Sequence, residues 1–270
     1  MSVSHSNLPK PNSRAAACWA TLITSEHLLP GLAVFSHSLL VTHRSQYPLV
    51  VMCTPDFPSR ARRIVEALGC KVAEVQPIYP KQRPAKTLAY SRFSQVWTKL
   101  RAFELVDYQK VVLVDSDMLV RKNMDELFKH RGVFPPSSSL LPSHEDERRS
   151  HPQSDEDVRP MEDSIAASFA CTCNPNKIAS YPDDWTHKLL NSGLVVLKPS
   201  CETMSAMIEK IDTDPRVPEY RFPDQDFLAD WYEGRLHILP WCYNALKKLR
   251  LVHPNIWRDD EVRNVHYILE

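Results

Sequence analysis

The sequence predicts an α/β fold with a mixed, mostly parallel central sheet, and three observations carry that prediction. Short apolar runs rich in valine, leucine and isoleucine alternate along the N-terminal half with segments of helical periodicity. These runs are continuous rather than alternating, which is the pattern of strands covered on both faces. Lys110–Val120 (Lys-Val-Val-Leu-Val-Asp-Ser-Asp-Met-Leu-Val) carries such a strand directly into two aspartates. Open α/β sheets place their ligands beyond the carboxyl ends of their strands.

The elements follow in order. Ala16–Ile23 reads as a first buried strand, with Thr24-Ser25-Glu26 as a polar turn. Pro30 suits a first helical position, and Leu32, Phe35, Leu39 and Leu40 recur at helical spacing. Leu49–Cys53 is a second strand, Arg60–Leu68 an amphipathic helix ending at Gly69, and Lys71–Val75 a third strand. The proline-broken loop from Pro77 to Pro84 leads to a helix over Phe93–Val106, which feeds the aspartate strand. Asn123 is an N-cap, with Asp125 and Glu126 in the turn behind it.

At Pro135 the composition shifts to serine, proline and mixed charge. The segment at about 135–186 reads as a long surface insertion, with Cys171 and Cys173 near its end as structural thiols. Beyond it come a strand at Leu189–Leu197, a helix to about Ile211 and a helix opened by Pro223-Asp224-Gln225-Asp226. A short strand at Leu236–Leu239, an aromatic turn at Pro240–Asn244 and a last strand within Val262–Ile268 complete the chain. This pattern contains no internal repeat and no second core, so one domain is expected over 16–270, behind a flexible tail at 1–15.

Composition narrows the function. The formal net charge of zero gives no electrostatic pull towards nucleic acid or membrane, and no apolar run is long enough to span a bilayer. Seven scattered cysteines without a secretory signal predict reduced thiols and a cytoplasmic protein. The five glycines are isolated, so neither G-x-G-x-x-G nor G-x-x-x-x-G-K-[ST] is present. A diphosphate held here needs metal and side chains instead. Asp115 and Asp117, two apart on an extended chain, point to the same side and repel unless something cationic lies between them. A divalent metal answers that; the alternative is a strand-end turn with two solvated aspartates.

Several separated pieces then fit one pattern. Ala20–Thr24, Thr98-Lys99-Leu100, Val114–Val120, Asn191-Ser192-Gly193, Asp224-Gln225-Asp226, Leu239–Asn244 and Val265-His266-Tyr267 occur in the order seen in one family. The chain resembles the glycogenin-like retaining glycosyltransferases of family eight, which include galactinol synthases. The resemblance implies a GT-A fold, a single α/β/α domain, with a UDP-hexose donor and Mn²⁺ (Mg²⁺ as the alternative). It implies that Asp115, Asp117 and His266 hold the metal, while Leu22 and Thr24 line the uracil and ribose. It implies further that Lys99 approaches the donor, that Ser116 and Gly193 belong to the donor site, and that Asn191, Ser192, Asp224 and Gln225 surround the sugar and its reacting carbon. Asp224 and Gln225 are the candidate catalytic pair, since an oxocarbenium-like carbon calls for a carboxylate or amide nearby. The acceptor is left open among sugars, polyols and proteins, and a homodimer is left open too.

The departures matter as well. The family's Lys-Pro-Trp segment does not follow His266, so the chain is expected either to be a C-terminally truncated form or to lack that cation at its donor site, and the insertion with Cys171 and Cys173 resembles the fungal branch. No tyrosine follows Asn244, so self-glucosylation there is not expected. Two other readings remain: an inactive nucleotide-sugar-binding protein, and a haloacid-dehalogenase-type phosphatase with Asp115 as nucleophile and Asp117 as acid-base.

Overall fold

The computed structural model describes residues 15–82, 91–129, 164–171 and 189–268. Its main sheet is assembled from β1 (Ala15–Ile23), β2 (Leu49–Cys53), β3 (Lys71–Glu74), β4 (Tyr108–Val114), β6 (Ile165–Phe169), β7 (Leu190–Leu197) and β8 (Leu236–Ile238). Among the described residues the order is β3-β2-β1-β4-β7-β6-β8. Every pairing that avoids β7 is parallel, and β7 runs antiparallel to β4 and β6. The sheet is therefore mixed and mostly parallel, as expected.

The continuous apolar runs are explained by what lies on either face. In β4, Val112 and Val114 face a core with Trp19, Val51, Phe35 of α1 (Leu29–Ser36) and Val65 of α2 (Ser59–Ala67). Val111 and Leu113 face a second core with Met52, Trp97, Leu100 and Phe103. Met207 of α3 (Cys201–Thr213) and Phe227 of α4 (Pro223–Trp231) complete that side. Successive strand residues point to opposite faces, so a strand with helices on both sides must be apolar throughout. Each such side chain contributes about 1.5–3 kcal/mol on burial. Ser200 starts α3 as its N-cap, its hydroxyl accepting the Thr203 amide at 3.1 Å.

Four expectations need correction. The Lys110–Val120 run is two strands. β4 ends at Val114; just beyond it the Asp115 amide donates to Gly193 O at 2.9 Å, and the chain bends before β5 (Met118–Val120). Among the described residues β5 joins a second sheet of order β5-β10-β9, with β9 (Ala245–Leu246) and β10 (Asn264–His266). The two aspartates therefore occupy a bend, not an extended strand end. Second, the helix expected over Phe93–Val106 runs Ser91–Glu104 and winds as a 3₁₀-helix. Its buried Trp97, Leu100 and Phe103 are three apart and line one face at three residues per turn. Third, Ile165–Phe169, within the stretch read as a surface insertion, is an interior strand of the main sheet. Its first four residues are buried between β7 and β8, so a segment with apolar Ile-Ala-Ala at its start belongs to the core. Fourth, the last strand is shorter than Val262–Ile268, and β9 had no pattern long enough to signal it. Much of the 135–186 segment, Cys173 and the 1–14 tail lie outside the described residues.

Candidate metal centre and active site

The site forms where the two sheets meet. β10 pairs antiparallel with β5 (His266↔Met118), and the Tyr267 amide donates to Asp117 O at 2.9 Å. This register lays His266 against the bend that carries the aspartates. His266 Nε2 lies 3.3 Å from Asp117 Oδ1 and 3.7 Å from Asp115 Oδ2. Among the described residues these three form the one group of metal-ligating side chains, with one ligand atom of each within 4.8 Å of the others.

The donor set suits a divalent cation. Ligands bound at about 2.1 Å stand about 3–4 Å apart, and hard cations take carboxylate oxygen together with imidazole nitrogen. Asp117 is exposed and Asp115 half-buried, while His266 is only 1% exposed, so the ring is fixed and the carboxylates are reachable. Burial raises the pKa of Asp115, and the Lys99 ammonium and His266 only partly offset it. Burial also acts upward on Asp117, but the hydrogen bond and charge of His266, with the backbone and the Lys99 ammonium, together outweigh it and hold that carboxyl below the usual range. Two carboxylates this close need positive charge between them.

A lysine supplies part of that charge. Lys99, 9% exposed on the 3₁₀-helix, places Nζ 2.7 Å from Asp115 Oδ1, 3.1 Å from Asp224 Oδ2 and 3.2 Å from Ser192 O. Burial alone would lower its pKa; the two carboxylates reverse that and hold it above the ordinary lysine range. The resemblance suggested that Lys99 approaches a donor. In the structure its ammonium ties the aspartate bend to Asp224 at the start of α4. Gln225 is the next residue on α4 and is also buried, so the pair does reach this edge of the sheet.

The other expected residues fall around this centre. Asn191 and Gly193 are on β7, with Asn191 Oδ1 accepting the Gly193 amide at 2.9 Å. Leu22 and Thr24 lie at the carboxyl end of β1, half-buried, and β1 runs parallel beside β4, so they share the edge that carries Asp115. Ser116 sits in the bend itself, where its carbonyl oxygen would lie 3.0 Å from a Cβ at Gly31. The first turn of α1 can approach the bend this closely because Gly31 has no side chain.

Asn244 was not assigned a role from sequence. Its Nδ2 donates to Asn191 Oδ1 at 2.9 Å, and its Oδ1 is 2.9 Å from His266 Nδ1. The residue was visible within the Leu239–Asn244 piece, but nothing in that piece signals that it links Asn191 to His266.

This architecture, a mixed α/β/α sheet with an Asp-x-Asp bend at the carboxyl end of a central strand and a histidine brought in from a second small sheet, is that of the GT-A nucleotide-sugar transferases. Solved structures agree on the fold. The galactosyltransferase LgtC, in complex with donor and acceptor sugar analogues, superposes with a TM-score of 0.57 at 14% identity, over 93% of this chain and 87% of that one. Mouse xyloside xylosyltransferase 1 superposes with a TM-score of 0.55 at 14% identity, over 94% and 98%. The sequence profile of glycosyl transferase family 8 matches residues 19–269, and the chain belongs to that family. Among relatives, galactinol synthase 2 of Solanum lycopersicum is 30% identical over 83% of this chain and 62% of its own length. Galactinol synthase 1 of the same plant is 28% identical over 84% and 64%, and galactinol synthase 4 of Arabidopsis thaliana 28% over 83% and 63%. The chain thus spans less than two thirds of the length of these relatives. The family match supports the glycosyltransferase reading of the aspartates over the aspartyl-phosphatase one. Among the described residues no helix is long and apolar enough to cross a membrane.

Proposed function

We propose that this chain is a cytoplasmic, metal-dependent retaining glycosyltransferase that moves a hexose from a UDP-sugar to a hydroxyl acceptor. The single observation that carries the reading is the convergence of Asp115, Asp117 and His266 in a chain of family 8. Asp115, Asp117 and His266 would hold Mn²⁺, or Mg²⁺ in its place. When bound there, the cation would stabilise the negative charge that builds on the departing UDP.

The chain's own side chains account for the rest. Leu22 and Thr24 are proposed to receive the nucleoside at the β1 end of the sheet. Lys99 pairs with Asp115 and Asp224 and fixes their separation. Asp224 and Gln225 are proposed at the reacting carbon. There an ammonium-paired carboxylate is a weak nucleophile but a good electrostatic partner for a carbon that gains positive charge. Ser192 and Gly193 present backbone to the same volume. The relatives' name makes galactinol the first product to seek, within an acceptor panel of sugars, polyols and protein.

The test mixes purified chain with Mn²⁺ and a panel of UDP-hexoses and follows UDP release, with Asp117→Asn alongside. Mn²⁺-dependent release that the variant abolishes supports the reading. No release together with no Mn²⁺-dependent UDP binding by calorimetry overturns it, and leaves the chain as a non-catalytic member of its family.

A further inference from the structure

The three buried amides behind His266 fix the side of the imidazole that carries the proton. The Gly193 backbone N–H can only donate, and it points at the Asn191 side chain at 2.9 Å, so the atom it meets is the carbonyl oxygen Oδ1. The Asn244 side chain meets that same oxygen at 2.9 Å and must therefore present its amide nitrogen to it. Its own oxygen is then the atom 2.9 Å from His266 Nδ1, and only a protonated Nδ1 can bond to it. Nε2 is the nitrogen that faces Asp115 and Asp117. Asn191, Asn244 and His266 are 5%, 5% and 1% exposed, so water does not compete for these bonds.

We propose that Asn191 and Asn244 are positioning residues, a relay from the Gly193 amide that selects the Nδ1–H tautomer of His266 and so makes Nε2 a metal donor. The inference rests on the metal reading of Asp115, Asp117 and His266, and it changes the part assigned to Asn191. The Asn191 carbonyl oxygen is engaged behind the histidine, although the resemblance placed this residue at the sugar. A free neutral histidine carries its proton on either nitrogen, and a ligating one is held in a single tautomer by the partner of its other nitrogen.

The experiment uses the metal-free chain with ¹⁵N-labelled histidine at mildly alkaline pH, with the His266 signals assigned by their loss in His266→Gln. In wild type, Nδ1 is expected to stay protonated. Asn244→Leu, similar in size but without hydrogen-bonding groups, should give a tautomer mixture and a ten- to hundredfold weaker Mn²⁺ affinity by electron paramagnetic resonance titration. Asn191→Asp keeps an acceptor for both Gly193 and Asn244, so it should keep the wild-type tautomer and Mn²⁺ affinity, and loss of the Nδ1 proton in this variant overturns the relay. Unprotonated Nδ1 in wild type overturns the relay, as does an Asn244→Leu chain that folds with tautomer and affinity unchanged. If Asn244→Leu does not fold, the wild-type spectrum and Asn191→Asp still decide. A wild type with Nδ1–H that binds no Mn²⁺ supports the relay and overturns the metal reading, so the two failures are distinct.

Discussion

Gly193 lies so close to the His266 ring that a methyl group there would stand 2.3 Å from Cε1 and 2.8 Å from Nδ1. Gly193 is not among the residues of positive φ, so what it supplies is room rather than backbone freedom. The ring cannot yield, because it is buried and bonded to Asn244. Gly193→Ala is expected to cost about 1–3 kcal/mol as an overpacked site. It should also weaken Mn²⁺ binding ten- to hundredfold by turning the ring. Thermal unfolding and calorimetric Mn²⁺ titration check the two effects. A variant with wild-type affinity would show that the ring position is not critical.

Lys99 is the counter-ion of two buried carboxylates. Removing one partner of a buried ion pair costs about 3–5 kcal/mol, because the charge left behind has no compensation. Lys99→Met should reach that range at neutral pH, measured by urea unfolding. The sign of the pH dependence follows from the raised pKa of this lysine. Its stabilisation is fully present below the unfolded lysine value of about 10.4 and is lost as pH rises through the higher folded value. The gap between wild type and Lys99→Met should therefore hold from neutral pH to about pH 10 and close only above it. A gap that closes between pH 7 and 9 would contradict the pairing.

Cysteine reactivity tests the packing of the sheet independently of the site. Burial pushes Cys18 up to about 12 and Cys53 and Cys70 up to about 11, against small opposing effects of Lys71, Arg62 and Ser36 respectively. Thiolate is the reactive form, so these thiols should be inert to iodoacetamide at neutral pH in the folded chain. Cys201, exposed at the first residue of α3, should react. Mass mapping after a brief pulse should find label on Cys201 and not on Cys18, Cys53 or Cys70, and on all four in denaturant. Label on Cys18 or Cys53 in the native chain would mean that β1 and β2 are not covered on both faces.

The first half of the sheet was legible because its physics is local. β2 has the expected bounds, and α2 closes at Gly69, where φ of +81° suits a residue without a Cβ. The metal ligands were legible as types in a known order, but their meeting was not. It depends on β5 leaving the main sheet and pairing with β10, two strands of three residues each, too short to show a period. The 3₁₀ winding had no signature of its own, because Trp97, Leu100 and Phe103, each three apart, fit an α-helix and a 3₁₀-helix alike. Ile165–Phe169 was missed because one short apolar run beside a long polar stretch reads as part of it. The Asn191–Asn244 link joins residues 53 apart in sequence and has no local signature.

The two aspartates should separate metal binding from stability. Asp115 faces both ways: one oxygen is 2.7 Å from Lys99 Nζ, the other 3.7 Å from His266 Nε2. Asp117 faces only His266 among the ion pairs described, and its side chain is 48% exposed. Neutralising Asp115 leaves Lys99 with Asp224 alone and removes a buried charge-assisted bond, which costs about 1.5–3 kcal/mol. Neutralising Asp117 changes a solvated group and should move stability by no more than about 0.5 kcal/mol. Asp115→Asn and Asp117→Asn are both expected to lose Mn²⁺ binding, since each removes an anionic ligand, while only Asp115→Asn loses stability in the metal-free chain. Urea unfolding of both variants with chelator present measures the difference. Equal destabilisation would mean that Lys99 does not depend on Asp115. Loss of Mn²⁺ binding in Asp115→Asn alone would remove Asp117 from the ligand set.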